Sequence, residues 1–465
     1  MKFISNLDKY ANNSLGCPSP PPSGNEDKES PHFHYIFHFI KKGEKIPKNQ
    51  EWSYMQPRHV NLRGDVRKKA MAICQFRMKY GNLKERLVGV DAASAEIGCR
   101  PEVFAQAFRY LKKYSWEDEY QYLENTKMGN LGFTYHVGED FLDLADGLRA
   151  VDEAILFLNL QSGDRIGHGL ALGVEPKMYY QRKRNSIILS KQDLLDNMAW
   201  LLVQIEDNGI GCPEELRSRL RWKYEELYAE IFRSDKGFSH QPYRYYQSWL
   251  LRGDDPQLYS IQQQDKQPDR YDVKDSTDYQ CWDRYGLNDD SKVRQARSNN
   301  KAKELYWRYH FDEAVRKNGG KPVEYDIPNG YPELIKEIQN AMMRKVSDLQ
   351  LVIETNPTSN KYIGAFEQYA EDPISRFFNL GLTYNQEEIN ACPQLSVSIN
   401  TDDAGVFSTS VPNEFALIAA AMDEMRNEDG TKKYTTRMIY DWLERIRAMG
   451  FEQRFRKDRL RRNPV

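Results

Sequence analysis

Four short apolar runs, each broken off by polar residues able to do chemistry, constrain this chain more than any other feature. Leu131 to Tyr135 runs into His136-Val-Gly-Glu-Asp140, and Asp164 to Ile166 runs into Gly-His168-Gly. Leu351 to Glu354 runs into Thr-Asn-Pro-Thr-Ser-Asn360, and Leu395 to Ile399 into Asn-Thr-Asp402-Asp403. Runs of three to five residues read as buried strands, and the stretches between them carry apolar positions at helical spacing. Ala145 to Leu160 and Pro332 to Val346 are such stretches. Strands alternating with helices call for a parallel sheet with helical crossovers. Polar groups gathered at the carboxyl ends of such strands predict a (β/α)8 TIM-type barrel, where active sites sit at that face. A doubly wound sheet is the alternative, but the Gly-rich phosphate turn that usually marks one is missing from the sequence.

The rest of the chain fits around these runs. Residues 1–31 read as an amino-terminal extension, with Cys17-Pro-Ser-Pro-Pro-Pro-Ser-Gly24 blocking helix and strand. Residues 32–172 form a first barrel part, with further strands at Tyr35 to Ile40 and Leu87 to Asp91 and helices over 64–80 and Pro101 to Lys112. Residues 173–321 break the alternation. They hold long helices at Gln192 to Ile205 and Glu214 to Phe232, then Tyr/Gln/Asp-rich segments, and read as a mainly helical insertion in a barrel loop. Residues 322–430 return to barrel order. Residues 431–465 are a helix and a basic tail from Arg454 to Arg462, read as a solvated or subunit-contacting end.

At 465 residues, with 29 Tyr and 8 Trp, the chain can bury a large core. A net charge of −2 gives no basic field for nucleic acid. Six scattered cysteines without a CxxC pair suggest neither a disulfide framework nor a zinc knuckle. With no signal-peptide core and no apolar span, the expectation is a soluble cytoplasmic protein with no membrane contact.

His136 offers an imidazole to a metal and Glu139 a carboxylate to a proton, while Gly138 permits close approach of a ligand to the backbone. Together with Gly89-Val-Asp-Ala-Ala-Ser-Ala-Glu96, the four strand-end motifs resemble, in order, those of the adenosine/AMP deaminase family of metal-dependent hydrolases. The resemblance covers roughly residues 33–170 and 330–425. It implies zinc (Zn2+) held by His136 and Asp402, and Glu139 as the proton shuttle to a purine ring nitrogen. It implies that His168 orients the attacking water and stabilises developing charge, and that Asp403 hydrogen-bonds the purine. Gly138 and Ser94 would border the base, the family usually having glycine at the latter position. The implied activity is hydrolytic deamination of an adenine nucleoside, a nucleotide or an RNA adenosine.

The family also carries an HxH metal pair on its first strand. The only such pair here is His32-Phe-His34, immediately before a run that aligns with the family's third strand. Either the barrel lacks its first strands in this chain, and the pair is absent or supplied by another polypeptide, or His32 and His34 are the pair. The first case admits a second class of function, a catalytically incomplete scaffold or assembly subunit. Gly89 to Phe104 and the long insertion are also similar to the deaminase group of the bacterial RADAR phage-defence system, which implies a homo-oligomer with an ATPase partner.

Overall fold

The computed structural model describes residues 34–44, 56–79, 86–121, 131–233, 241–259, 282, 286, 288–364 and 366–455. The chain divides into two compact units, Met1–His34 and Tyr35–Val465. Of the first only His34 is described, and it is exposed. The Pro-rich stretch, His32 and most of the basic tail lie outside the described residues.

In the second unit six parallel strands form the central sheet: β1 (Tyr35–Ile40), β2 (Leu87–Ala93), β3 (Gly132–Val137), β4 (Arg165–His168), β7 (Val352–Thr355) and β8 (Ser396–Ile399). Their order, β1-β2-β3-β4-β7-β8, never reverses. A doubly wound sheet would turn back at a switch point. The sequence led to a barrel-type sheet lacking its first strands; six parallel strands are what form, and among the described residues β1 and β8 are not paired with each other and no closed barrel results.

Side-chain alternation sorts the sheet into two faces. Phe39, Phe133 and Tyr135 point to the helix side, where the rings of Phe104 and Phe108 meet them at centroid distances of 5.7–6.4 Å. The other face is polar and small: Asp91, Gly132, Thr134, His136, Arg165, Gly167 and Glu354. Glu354 braces three strands, accepting from Thr134 Oγ1 and from Arg165, each at 2.7 Å. At the amino ends of the strands Phe455 lies against this face. A Cβ on Gly132 would come within 2.0 Å of its ring, and the Arg165 guanidinium stacks over it at 3.8 Å.

The helix Leu144–Phe157 buries Leu144, Leu148, Val151 and Ile155 against the sheet, the helical period expected from sequence. Between β4 and β7 lies the inserted block. Its long helices Lys191–Asp207 and Glu214–Phe232 match the expected ones closely, the first capped by Ser190 Oγ accepting from the Asp193 N–H. The sequence reading did not foresee the strand Ser186–Ser190 (β5), nor its antiparallel pairing with Pro322–Asp326 (β6). Residues 322–326, grouped by sequence with the second barrel part, thus join the inserted block. Among the described residues no helix is long and apolar enough to cross a membrane.

Candidate metal centre

His136 is the penultimate residue of β3 and faces the polar side of the sheet. His168 ends β4, opposite Val137, a helix-facing position. By alternation its ring should point away from His136. The backbone at His168 is left-handed, with φ +63°, which takes the residue out of the alternation. Its ring therefore stands 4.9 Å from that of His136. Asp402 follows β8 and is also left-handed, with φ +54°, as is Ser94 after β2, with φ +84°. Such backbone conformations in non-glycine residues are costly and concentrate at functional sites.

The ligand atoms of His136, His168 and Asp402 all lie within 4.8 Å of one another. Asp402 Oδ1 is 3.9 Å from His136 Nε2, and Oδ2 is 3.6 Å from His168 Nε2. Ser359 Oγ donates to Asp402 Oδ2 at 2.7 Å and orients it. His168 Nδ1 donates to Asn360 Oδ1 at 2.7 Å, which fixes the ring with Nε2 on the opposite side. That Nε2 lies 3.1 Å from Asn356 Nδ2 and 2.7 Å from Glu139 Oε2. Both asparagines belong to the segment after β7.

Behind His136 stands Asp91 on β2, fully buried, with Oδ2 2.9 Å from His136 Nδ1. The turn that carries Glu139 is held by Glu96, whose carboxylate accepts from the N–H groups of Gly138 and Glu139 at 3.0 and 3.2 Å. Lys41, buried at the end of β1, donates to the carbonyl of His136 and lies over the Tyr135 ring.

Charge in this cluster is unbalanced. Burial opposes a charged His136, but Asp91, Asp402 and Glu139 overcome it and hold its pKa well above the ordinary imidazole range. Burial likewise opposes ionisation of Asp402, yet its bonds to His136 and Ser359 bring it down to about 2. Glu139 is lowered as well, against its burial, by His168. Both oxygens of Asp91, Nδ1 of His136 and Oε2 of Glu139 are buried without an aligned hydrogen bond, although charged neighbours are close. Two imidazoles and a carboxylate, surplus negative charge and unaligned buried polar atoms fit a divalent cation that prefers nitrogen and oxygen.

The sequence reading assigned His136 and Asp402 to the metal and His168 to catalysis. The structure puts all three in one ligand group. Glu139 joins them through His168. Asp403 does not: it is exposed and spends Oδ1 on capping the short helix Ala404–Phe407, accepting from Gly405 and Val406 at 3.1 and 3.0 Å. Ser94 is exposed on the turn after β2, two residues before Glu96. His34 is exposed and adjoins the first residue of β1. Sequence reasoning missed His38, Asp91, Lys41 and Glu96 as parts of the centre. Asp91 and Glu96 lay within the Gly89–Glu96 stretch without being singled out, and the signal for His38 and Lys41 was their place in and just after the first strand.

No protein-family model matches this chain, and no curated protein matches its sequence.

Proposed function

We propose that this chain binds zinc through His136, His168 and Asp402 and catalyses hydrolytic deamination of an adenine nucleoside or nucleotide. The observation that carries the reading is the ligand group itself, three nitrogen and oxygen donors within 4.8 Å with the Glu139 carboxylate at 2.7 Å from one of them. Three protein ligands leave a position for water, as catalytic zinc sites require. Zinc in such a site supplies Lewis acidity and makes a water acidic near neutral pH. Glu139 is the group placed to move protons: it is 7% exposed, held by its backbone to Glu96, and adjacent to His168. In the net reaction water adds at C6, the C6–N6 bond breaks, and ammonia leaves with the proton Glu139 delivers. His168, oriented by Asn360, keeps its Nε2 toward the reacting side. Asp403, on the rim, is the hydrogen-bonding group offered to the purine, and Gly138 leaves room for the ring. The strand order without reversal supports a barrel-derived frame for this site. A homo-oligomer with an ATPase partner and a part in phage defence belong to the same reading and rest on the sequence resemblance alone.

Among the described residues the outer edges of β1 and β8 have no strand partner, which favours a second reading, a catalytically incomplete assembly subunit in which other segments must close the sheet. Metal content per chain, measured with turnover of adenosine, AMP and ATP by their ultraviolet change, separates the two. One zinc per chain with deamination is the expected result. Protein that is folded, free of zinc and inert toward all three substrates supports the scaffold instead.

A further inference from the structure

We infer that His38 is a positioning residue for His136, acting through Asp91. The inference rests on the metal-centre reading above and names a group that neither the sequence motifs nor the ligand set includes.

β1 and β2 run in a register that pairs His38 directly with Asp91, so both side chains leave the sheet on the same face. Asp91 Oδ2 is 2.9 Å from Nδ1 of His38 and 2.9 Å from Nδ1 of His136. One buried carboxylate oxygen thus faces two imidazoles on the strands that flank β2. Asp91 is fully enclosed, and neither of its oxygens makes an aligned hydrogen bond, so the two close imidazoles are the charge partners that hold the carboxylate in place. His136 in turn has its Nδ1 facing Asp91 and its Nε2 facing Asp402. A carboxylate at one ring nitrogen sets the tautomer and rotation of a metal-binding histidine and raises its basicity. A second N–H on that carboxylate fixes its direction and draws off part of its charge. His38 does not itself belong to the ligand group: its Nδ1 is spent on Asp91, and its ring centroid lies 6.3 Å from that of His136. Its side chain is about half exposed, which lets it be changed without opening the core.

The test uses geometry that distinguishes the two ring nitrogens. An asparagine amide nitrogen stands where Nδ1 stands, and a glutamine amide nitrogen stands nearer Nε2. Zinc affinity is measured by competition with a chromophoric chelator for the parent chain, His38→Asn, His38→Gln and His38→Leu, with circular dichroism to establish folding. His38→Leu and His38→Gln are expected to bind zinc about tenfold more weakly, the lower end of the range for outer-shell partners. His38→Asn is expected to stay within about threefold of the parent. Equal affinity in all four proteins overturns the inference, as does His38→Asn falling as far as His38→Leu. If the leucine variant does not fold, the asparagine–glutamine difference alone decides. A parent that takes up no zinc overturns both this inference and the metal centre. A parent that binds zinc, shows the expected affinity order and deaminates no adenine compound overturns the deaminase reading and leaves the role of His38 standing.

Discussion

Two buried charge clusters in this molecule look alike by composition and differ in their bonding. In the inserted block Asp196 is surrounded by donors: Gln192 at 3.0 Å, Tyr245 at 2.6 Å and the two-pronged Arg252 guanidinium at 2.5 and 2.7 Å. Arg149 extends the network to Asn197 and Glu153. At the strand ends, by contrast, Asp91, Glu139 and Asp402 face two histidines across contacts that are short but unaligned or too long for hydrogen bonds. There the backbone adopts left-handed conformations at His168 and Asp402. In the insertion cluster both oxygens of the Asp196 carboxylate are met by donors without any further group. The strand-end cluster has the charge and the free lone pairs to hold one more. A satisfied buried network specifies structure, and an unsatisfied one marks a place where something binds.

The sharpest way to break the comparison is to remove one partner from each side. Asp196→Ala leaves the Arg252 guanidinium buried and unpaired, which costs about 3–5 kcal/mol. Denaturant unfolding should register that loss, while zinc bound per folded chain stays at the parental value. A variant with parental stability would mean the insertion network carries no structural weight.

Asp143 stands between the two clusters and tests the intermediate case. Its partners are neutral: Tyr180 at 2.6 Å, Asn197 at 3.2 Å and Tyr331 at 3.3 Å. Burial, aided by Asp146 and outweighing these hydrogen bonds, pushes its pKa up from 3.8 to about 6. The folded state therefore holds this proton more tightly than the unfolded chain. Its contribution to stability is fully present below about pH 4 and is lost as pH rises through about 6, a change of up to about 3 kcal/mol. Asp143→Asn removes the titration. Unfolding free energies of parent and variant, compared from pH 4 to 7, should diverge with the parent losing ground. A constant difference across that range would show that Asp143 stays charged in the fold.

The third measurement concerns the strand-end cluster alone. Glu139→Gln keeps shape and removes the proton carrier, so deamination should fall by about 100-fold or more, about 2.7 kcal/mol in barrier. Zinc content and unfolding midpoint should hardly change, because Glu139 is neither a ligand nor, like Asp196, the anchor of a completed network. Parental turnover in the variant would remove Glu139 from the mechanism.

Local pattern determined the four strand ends and the helices between them, and the resemblance of the motifs at those ends pointed to His136, Glu139, His168 and Asp402. Apolar runs and helical spacing are short-range signals, and residues such as histidine and paired aspartates stand out at their ends. Only the tertiary structure decided that His168 joins the ligand group, since its ring direction depends on a left-handed backbone and on Asn360, far along the chain. The same holds for Asp91 between His38 and His136, and for Glu96 beneath Gly138 and Glu139. Those contacts come from strand register, which brings together side chains that no local pattern relates. The β5–β6 pairing was likewise beyond the sequence reading, because it depends on which distant backbone supplies the hydrogen bonds.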